Sequence, residues 1–219
     1  MLKTRLFLFA FIGVGLLNIG SQIMKFDLLA PLSKSLIIPL LIGHIYSNYS
    51  PSKNYLLALF FSWLGDLLLI PQGKLFFILG IAAFWVTQFL YCKIMLKDLK
   101  GNLKLQLNKK IARIPLVILG SYLLGMLTVM LPGLGILQVP VSLYAVTLSI
   151  TGFLGVLTMI EKKSSSTRFL ALGCILFVIS DSMIAFDAFY FDTKIFSHWV
   201  MATYIPAQFF ISKHLGRST

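Results

Sequence analysis

Two aspartates lie in long apolar stretches of the sequence, and they are its strongest candidates for chemistry. Asp66 ends the stretch Phe61-Ser-Trp-Leu-Gly-Asp66, and Asp181 follows Ser180 in a second apolar segment. A carboxyl group in apolar surroundings is costly unless it is paired, neutralised or hydrated. Two such groups in different environments suit acid and base catalysis, in which one carboxyl donates a proton and the other accepts one.

Six further polar side chains accompany the acids in the apolar segments. The candidate site therefore also includes Lys34, Ser62, Gln88, Tyr91, Tyr204 and Gln208. Several lie one helical turn apart: Ser62 before Asp66, and Tyr204 before Gln208. Lys34 has two interpretations, because its ammonium group either neutralises Asp66 or binds an anionic group of a substrate.

Other polar residues in these segments have a structural explanation. Asp187 lies near the end of its apolar segment, where a charged side chain reaches the membrane interface. Asn18 and Gln22 share one face of the first apolar segment, which predicts hydrogen bonds between helices. Glycines such as Gly152 and Gly155 allow helices to pack closely.

The composition shows which medium surrounds these groups. The chain has 219 residues, of which 58% are hydrophobic and 12% charged, and its mean hydropathy is +0.90. Soluble domains are about 45–50% apolar and about 25% charged. The sequence therefore predicts an integral membrane protein.

Eight apolar segments have the length and composition of membrane-spanning helices, which need roughly 20 residues. They are Leu6–Ile23, Leu28–Tyr46, Tyr55–Ile70, Leu75–Leu96, Ile114–Leu131, Val139–Ile160, Phe169–Tyr190 and Phe196–Leu215. The connections between them are short and rich in turn-forming residues. We expect an all-α bundle of eight transmembrane helices in a single domain, residues 1–219. The first segment lacks a cleavage site followed by a polar stretch, so it is expected to be a retained helix rather than a signal peptide.

The positive charges indicate the orientation of this bundle. Lysine and arginine are concentrated before the first segment, after the second, fourth and sixth, and at the chain end, with the densest run at Lys93–Arg113. The alternate connections hold only Lys25, Lys74 and Lys194. Because such residues favour cytoplasmic loops, both termini are predicted to be cytoplasmic, in a bacterial cytoplasmic membrane. The run Lys97–Lys110 is expected to lie on anionic lipid headgroups rather than on nucleic acid.

Several function classes are excluded by what the sequence lacks. It has no phosphate-binding glycine loop and no zinc-binding spacing of cysteine or histidine. Its histidines, His44, His198 and His214, lie near predicted helix ends, and both cysteines, Cys92 and Cys174, lie inside apolar segments as packing residues. The sequence therefore predicts no metal, no cofactor and no nucleic-acid partner; the partners expected are membrane lipid and a small substrate.

Counting residues from the predicted boundaries places the polar groups at a similar depth. At about 1.5 Å of rise per residue, Asp66, Lys34, Asp181 and Tyr204 lie roughly 6 to 13 Å below the outer boundary. One polar cavity in the outward half of the bundle would accommodate them all. Phe61-Ser-Trp-Leu-Gly-Asp66 and Phe177-Val-Ile-Ser-Asp181 also resemble each other, which is typical of a parallel internal repeat.

The order of these motifs resembles that of the YhhN family of lysoplasmalogenase-like membrane proteins. The resemblance rests on Lys34-Ser-Leu-Ile-Ile-Pro-Leu-Leu41, Phe61-Ser-Trp-Leu-Gly-Asp-Leu-Leu-Leu69, Phe77-Ile-Leu-Gly-Ile-Ala-Ala-Phe84, Gly173-Cys-Ile-Leu-Phe-Val-Ile-Ser-Asp-Ser-Met-Ile184 and Tyr204-Ile-Pro-Ala-Gln208. It implies an enzyme that hydrolyses the vinyl-ether bond of a lysophospholipid with water, releasing a fatty aldehyde and a glycerophospho-base. The sequence departs from the family at Gln88, where histidine is frequent, so a proton-shuttling role at that position is in doubt.

The implied reaction suits two unlike carboxyl groups. One stays protonated, which an apolar environment favours, and the other stays ionised to stabilise a cation and to draw a proton from water. Asp181 is the expected acid and Asp66 the expected base, with the reverse assignment as the alternative. Tyr204 and Gln208 would orient the carboxyls or water. The competing interpretation is a proton-coupled transporter or lipid-binding protein that uses the same acids.

Overall fold

A computed structural model of the chain describes residues 2–99, 110–191 and 196–217, with side chains from Thr4 onward. Every regular element among these residues is helical. The α-helices are α1 (Leu2–Ile23), α2 (Leu29–Tyr46), α3 (Lys53–Leu68), α4 (Lys74–Asp98), α5 (Lys110–Leu134), α6 (Gln138–Lys162), α7 (Ser165–Phe189) and α8 (Ser197–Leu215). A short 3-10 turn, Gly135–Leu137, joins α5 to α6. The prediction of an all-α fold is confirmed.

The helices coincide with the apolar segments of the sequence but extend past several of them. Helix α5 begins at Lys110 rather than Ile114, and α7 begins at Ser165 rather than Phe169. The first residues of these two helices include charged and polar side chains, so hydropathy does not mark these helix ends. The basic run Lys97–Lys110 falls largely on residues 100–109, which lie outside the described residues.

Several helices are long and apolar enough to cross a membrane. Five such segments are found: Thr4–Ile23, Leu29–Tyr46, Lys74–Asp98, the continuous stretch Lys110–Lys162, and Ser165–Phe189. The stretch Lys110–Lys162 contains α5 and α6. Helix α3 has 16 residues, which span about 24 Å against a hydrocarbon core of about 30 Å. The number of eight spans and the cytoplasmic termini stay predictions.

The outer helical surfaces support a lipid environment. Large apolar side chains are widely exposed, as on α1, where Leu6 is 66% and Phe9 68% exposed, and on α5, where Val117 is 64% exposed. Water would penalise contiguous apolar surface of this kind, whereas hydrocarbon would not.

The two helices that carry the candidate aspartates, Asp66 and Asp181, each begin with a serine cap. The Ser52 hydroxyl accepts a hydrogen bond from the amide of Tyr55 at the start of α3. At the start of α7, the Ser164 hydroxyl accepts from the amide of Thr167, and the Thr167 hydroxyl accepts from the amide of Ser164. Such reciprocal capping satisfies amide groups that lack partners in the first helical turn.

The described residues form two compact units. The first contains residues up to Leu90 together with those from Leu215, and the second contains Tyr91–His214. In the first unit, Asn18 of α1 donates hydrogen bonds to the Ala30 carbonyl at 2.7 Å and to the Ser33 hydroxyl at 3.0 Å on α2. This confirms the predicted interhelical role of Asn18. The prediction of one domain over the whole chain stays a prediction.

In the second unit, small residues bring the helices close together. A Cβ atom added to Gly155 of α6 would lie 2.8 Å from the Cys174 sulfur on α7. At Gly173 of α7 it would lie 2.8 Å from the Ala207 carbonyl oxygen and from the Ile211 amide nitrogen on α8. Both cysteines are buried free thiols. The glycine and cysteine positions therefore serve packing, as the sequence predicts.

Candidate functional site

Helices α2 and α3 hold an ion pair in the first unit, in which the carboxylate is buried and the lysine is partly exposed. The Lys34 ammonium nitrogen lies 3.7 Å from an Asp66 carboxylate oxygen, and the Asp66 side chain is 3% exposed. Next to this pair, the Trp63 indole donates a hydrogen bond to the Ser35 carbonyl at 2.8 Å. Of the two interpretations of Lys34, the ion pair with Asp66 is the one that the structure contains.

Close packing between α3 and α4 encloses the same acid. A Cβ atom added to Gly65 would lie 2.7 Å from the Phe84 ring, so only glycine fits there without a shift. The Thr87 hydroxyl donates to the Ala58 carbonyl at 3.1 Å across the same pair of helices. Ser62, one turn before Asp66, is fully buried. Ser62 and Asp66 of α3 are thus both shielded.

Gln88 on α4 differs from the Lys34–Asp66 pair because its buried side chain is uncharged. It is fully buried, and neither its amide nitrogen nor its amide oxygen has a hydrogen-bond partner among the described residues. Buried polar atoms without a partner are rare in native proteins and often mark the position of a water or a ligand. Gln88 therefore provides both a donor and an acceptor that a bound molecule can use.

The second acid lies in the second unit and has hydroxyl partners. Asp181 of α7 is 7% exposed and accepts a hydrogen bond from the Tyr144 hydroxyl of α6. Its neighbour Ser182 accepts a hydrogen bond of 2.6 Å from the Tyr122 hydroxyl of α5. Three helices thus direct polar groups to one position beside the carboxyl group.

A cavity of about 50 Å³ adjoins this acid. We call the hydrogen-bonded group Asp181, Ser182, Tyr122 and Tyr144 its polar end; Ser149 also lines the cavity. The rest of its wall is largely apolar and includes Met126, Leu127 and Met130 of α5, Leu148 of α6 and Val178 of α7. One water needs about 10–15 Å³ of such space, so the cavity accommodates a few water-sized groups.

Tyr122 and Tyr144 are site residues that the sequence did not identify. Tyrosines in apolar helices commonly serve packing, and their spacing does not show which helix they face. The sequence offered only a weaker indication: a tyrosine hydroxyl within an apolar span needs a hydrogen-bond partner, and Asp181 is one of the few carboxyl groups in these segments. Only the packing of α5, α6 and α7 identifies the pairs.

The tyrosine and glutamine predicted near the chain end form a separate chain of hydrogen bonds. The Tyr91 hydroxyl donates to the Gln208 amide oxygen at 2.9 Å, and the Gln208 amide nitrogen donates to the Tyr204 hydroxyl at 3.2 Å. All three residues are buried. The Tyr204 ring also packs edge-on against Phe177, with 5.6 Å between ring centres. A role for Tyr204 and Gln208 in orienting carboxyls or water stays a prediction.

Two further acidic residues, Asp187 and Asp98, have structural roles. The Asp187 carboxylate accepts hydrogen bonds from the amide of Phe196, just before α8, at 3.0 and 3.1 Å, which is a structural role; its location at the membrane interface stays a prediction. Asp98, at the end of α4, pairs with Lys162 and lies 2.8 Å from a ring nitrogen of His214. His214 in turn contacts the Ser166 hydroxyl at 3.1 Å. The sequence did not predict the cluster formed by Asp98, Lys162, His214 and Ser166.

The candidate residues therefore fall into distinct sets. Lys34 and Asp66 form one, Asp181 with its tyrosines forms another, and Tyr91, Tyr204 and Gln208 form a third. The placement of both acids in one polar cavity stays a prediction.

Comparison with known proteins identifies the family. A family model described as YhhN matches residues 29–215. The chain belongs to the YhhN family. The YhhN match includes both acids and all six supporting residues, from Lys34 to Gln208, so the resemblance seen in the sequence is confirmed. No curated protein and no solved structure matches the chain.

Proposed function

We propose that this YhhN protein is a membrane hydrolase that cleaves the vinyl-ether bond of a lysoplasmalogen. The products are a fatty aldehyde and a glycerophospho-base. The observation that carries the proposal is the Asp181 site, where a buried carboxyl group, two tyrosine hydroxyls and an apolar cavity meet. A lipid with a reactive polar bond at the start of a hydrocarbon chain needs this combination.

The proposed reaction begins with a proton transfer to the β-carbon of the vinyl ether. The resulting oxocarbenium ion is attacked by water at the carbon attached to the ether oxygen, and the water loses a proton to form a hemiacetal. Collapse of the hemiacetal breaks the bond to the glycerol oxygen, which takes up a proton as the aldehyde forms. One water is consumed, and no oxidant or cofactor is required.

Asp181 is the proposed proton donor. Its apolar cavity disfavours the charged carboxylate, and the Tyr144 hydroxyl binds one carboxyl oxygen. The other oxygen then carries the proton that is transferred. Tyr144 holds the orientation of the carboxyl group, which matters because proton transfer requires a hydrogen-bonding distance to the receiving atom.

Asp66 is the proposed base and cation-stabilising group. The ammonium of Lys34, 3.7 Å away, favours the ionised carboxylate. The Gln88 amide would orient the attacking water, since its donor and acceptor lack partners among the described residues. The proposal requires that Asp66 and Asp181 act on the same substrate molecule. The reverse assignment of acid and base is the alternative within this mechanism.

The direct test is aldehyde release from a defined lysoplasmalogen by purified protein in detergent. Asp66→Asn and Asp181→Asn should each lower the rate by at least about 100-fold, because acid and base catalysis contribute about 10²–10⁴. Asp27→Asn is the matched control, since Asp27 is exposed and outside the site. Folded acid variants that retain wild-type rates would exclude the mechanism.

The competing function is a proton-coupled transporter or lipid-binding protein. The Lys34–Asp66 ion pair favours it, because paired charges in apolar helices are typical of ion and proton pathways. Turnover distinguishes the two: a transporter binds or moves its solute without consuming it. Wild-type protein that binds lysolipid without releasing aldehyde would favour this second function.

A further inference from the structure

The cavity beside Asp181 has a polar end and an apolar wall, and its lining residues differ in exposure. Leu148 and Val178, on the α6 and α7 sides, are buried. On the α5 side, Leu123, Met126 and Leu127 are partly exposed. Ala145 of α6 and Ala185 of α7 are also partly exposed, and Met130 of α5 is buried. The cavity wall therefore reaches the outer surface most extensively on the α5 side.

The Tyr122 side chain extends from the outer surface of α5 toward the residue next to Asp181. Its side chain is 38% exposed, yet its hydroxyl reaches the Ser182 hydroxyl next to Asp181. One side chain thus connects the apolar outer face of α5 with the polar end of the cavity. A molecule entering along this side chain would pass from hydrocarbon directly to the carboxyl group.

The outer face of α5 beside this opening is strongly apolar. Val117, Ile118 and Leu124 are each more than 60% exposed, in one of the segments long and apolar enough to cross a membrane. Methionines at the cavity wall, Met126 and Met130, are flexible and adapt to apolar ligands of varying shape.

The size of the cavity limits what it can hold. At about 50 Å³ it has room for only a few water-sized groups, since each needs about 10–15 Å³. A long hydrocarbon chain does not fit inside. Its first carbons and the adjoining ether group fit, while the remainder would lie on the apolar face of α5.

We propose that the cavity binds the first carbons of a single ether-linked hydrocarbon chain, which enters sideways past Tyr122 and leaves its distal part on the outer face of α5. The chemical class of the ligand is a lysophospholipid with an ether-linked chain, and in this respect the inference rests on the proposed function. The carboxyl and hydroxyl groups at the polar end face the ether group, and the methionine and leucine side chains contact the carbons.

Two alanines of α7 provide a matched test. Ala185 lines the cavity, whereas Ala188, three residues later, is exposed. Ala185→Leu fills the space and Ala188→Leu adds the same atoms outside it. The probe is a saturated 1-O-alkyl lysophosphocholine, which the hydrolase reaction cannot cleave. We expect Ala185→Leu to weaken its binding at least tenfold and Ala188→Leu to leave it within twofold; equal binding by both variants would overturn the proposal.

A second measurement on wild-type protein covers the case in which Ala185→Leu fails to fold. Alkyl lysophosphocholines carrying a diazirine near the ether or at the chain end are photolysed in lipid nanodiscs, and the labelled residues are mapped by mass spectrometry. The near-ether diazirine should label Met126, Met130 or Leu148, and the chain-end diazirine should label Val117, Ile118 or Leu124. Labelling by the near-ether diazirine outside the cavity would contradict the proposal.

These tests separate the inference from the proposed hydrolysis. Binding of the uncleavable lipid in the cavity, with no aldehyde from a lysoplasmalogen, would support the chain-binding site and reject the hydrolase. Aldehyde release that Ala185→Leu leaves unchanged would support the hydrolase and reject the chain-binding site.

Discussion

The two buried aspartates each follow a short motif that begins with phenylalanine, but their neighbours in the structure differ. Asp66 of α3 faces the ammonium of Lys34, next to a tight contact between Gly65 and Phe84. Asp181 of α7 faces the hydroxyl of Tyr144 and borders a cavity. Asp66 thus has an opposite charge beside it, whereas Asp181 has a cavity and an uncharged hydrogen-bond donor beside it. The proposed acid and the proposed base are thus the same residue type and differ in their partners.

The largest expected effect comes from removing the cation of the first site. Lys34→Met leaves the Asp66 carboxylate buried without its ammonium partner, which should lower the free energy of unfolding by about 3 kcal/mol and abolish aldehyde release. Lys162→Met is the matched control, because Lys162 pairs with Asp98 and its side chain is 35% exposed; its cost should stay within about 1 kcal/mol.

Denaturation in detergent micelles measures both values. The double variant Lys34→Met with Asp66→Asn should recover most of the lost stability without recovering activity, since no buried charge remains. If Lys34→Met and Lys162→Met lowered the free energy of unfolding equally, burial of an ion pair would not determine its contribution to stability. That result would contradict the prediction.

The second site is tested by removing a single hydroxyl group. Tyr144→Phe deletes the donor to Asp181 while keeping the ring that lines the cavity. We expect kcat for aldehyde release to fall about 10- to 100-fold, because a hydrogen bond to a charged or proton-donating group is worth about 1.5–3 kcal/mol. Binding of the uncleavable alkyl lysophosphocholine should change little.

Tyr46→Phe serves as the control for this variant, since Tyr46 of α2 is 59% exposed. A loss of lipid binding that matches the loss of kcat would instead assign Tyr144 to binding rather than to positioning the acid.

A smaller effect on stability is expected at Gln88. Gln88→Leu replaces buried amide atoms that lack partners among the described residues, so the free energy of unfolding should stay unchanged or rise by about 1 kcal/mol. Aldehyde release should nevertheless fall about tenfold, the size expected from losing one hydrogen bond to the attacking water. If the free energy of unfolding falls by several kcal/mol, the Gln88 amide is hydrogen-bonded within the native protein and is not available to bind the attacking water.

The sequence predicted the helices well because hydrocarbon imposes long apolar segments. It also predicted the Lys34–Asp66 pair as one of two alternatives and the hydrogen bonding of Asn18. It missed Tyr144 and Tyr122, since an apolar helix does not reveal which of its faces meets a neighbour. Asp98 and His214 are separated by 116 positions, and no local pattern connects them.

The central claim is tested most directly by the isotopic composition of the released aldehyde. If a protein carboxyl group in exchange with solvent protonates the β-carbon, then hydrolysis of a lysoplasmalogen in D₂O gives an aldehyde with one deuterium on the carbon next to the carbonyl. Mass spectrometry of the aldehyde, trapped at once as an oxime, detects it. The account predicts this single deuterium with wild type, and a rate of aldehyde release at least about 100-fold lower with Asp181→Asn. Aldehyde without deuterium, or bound lipid that is never cleaved, would contradict it.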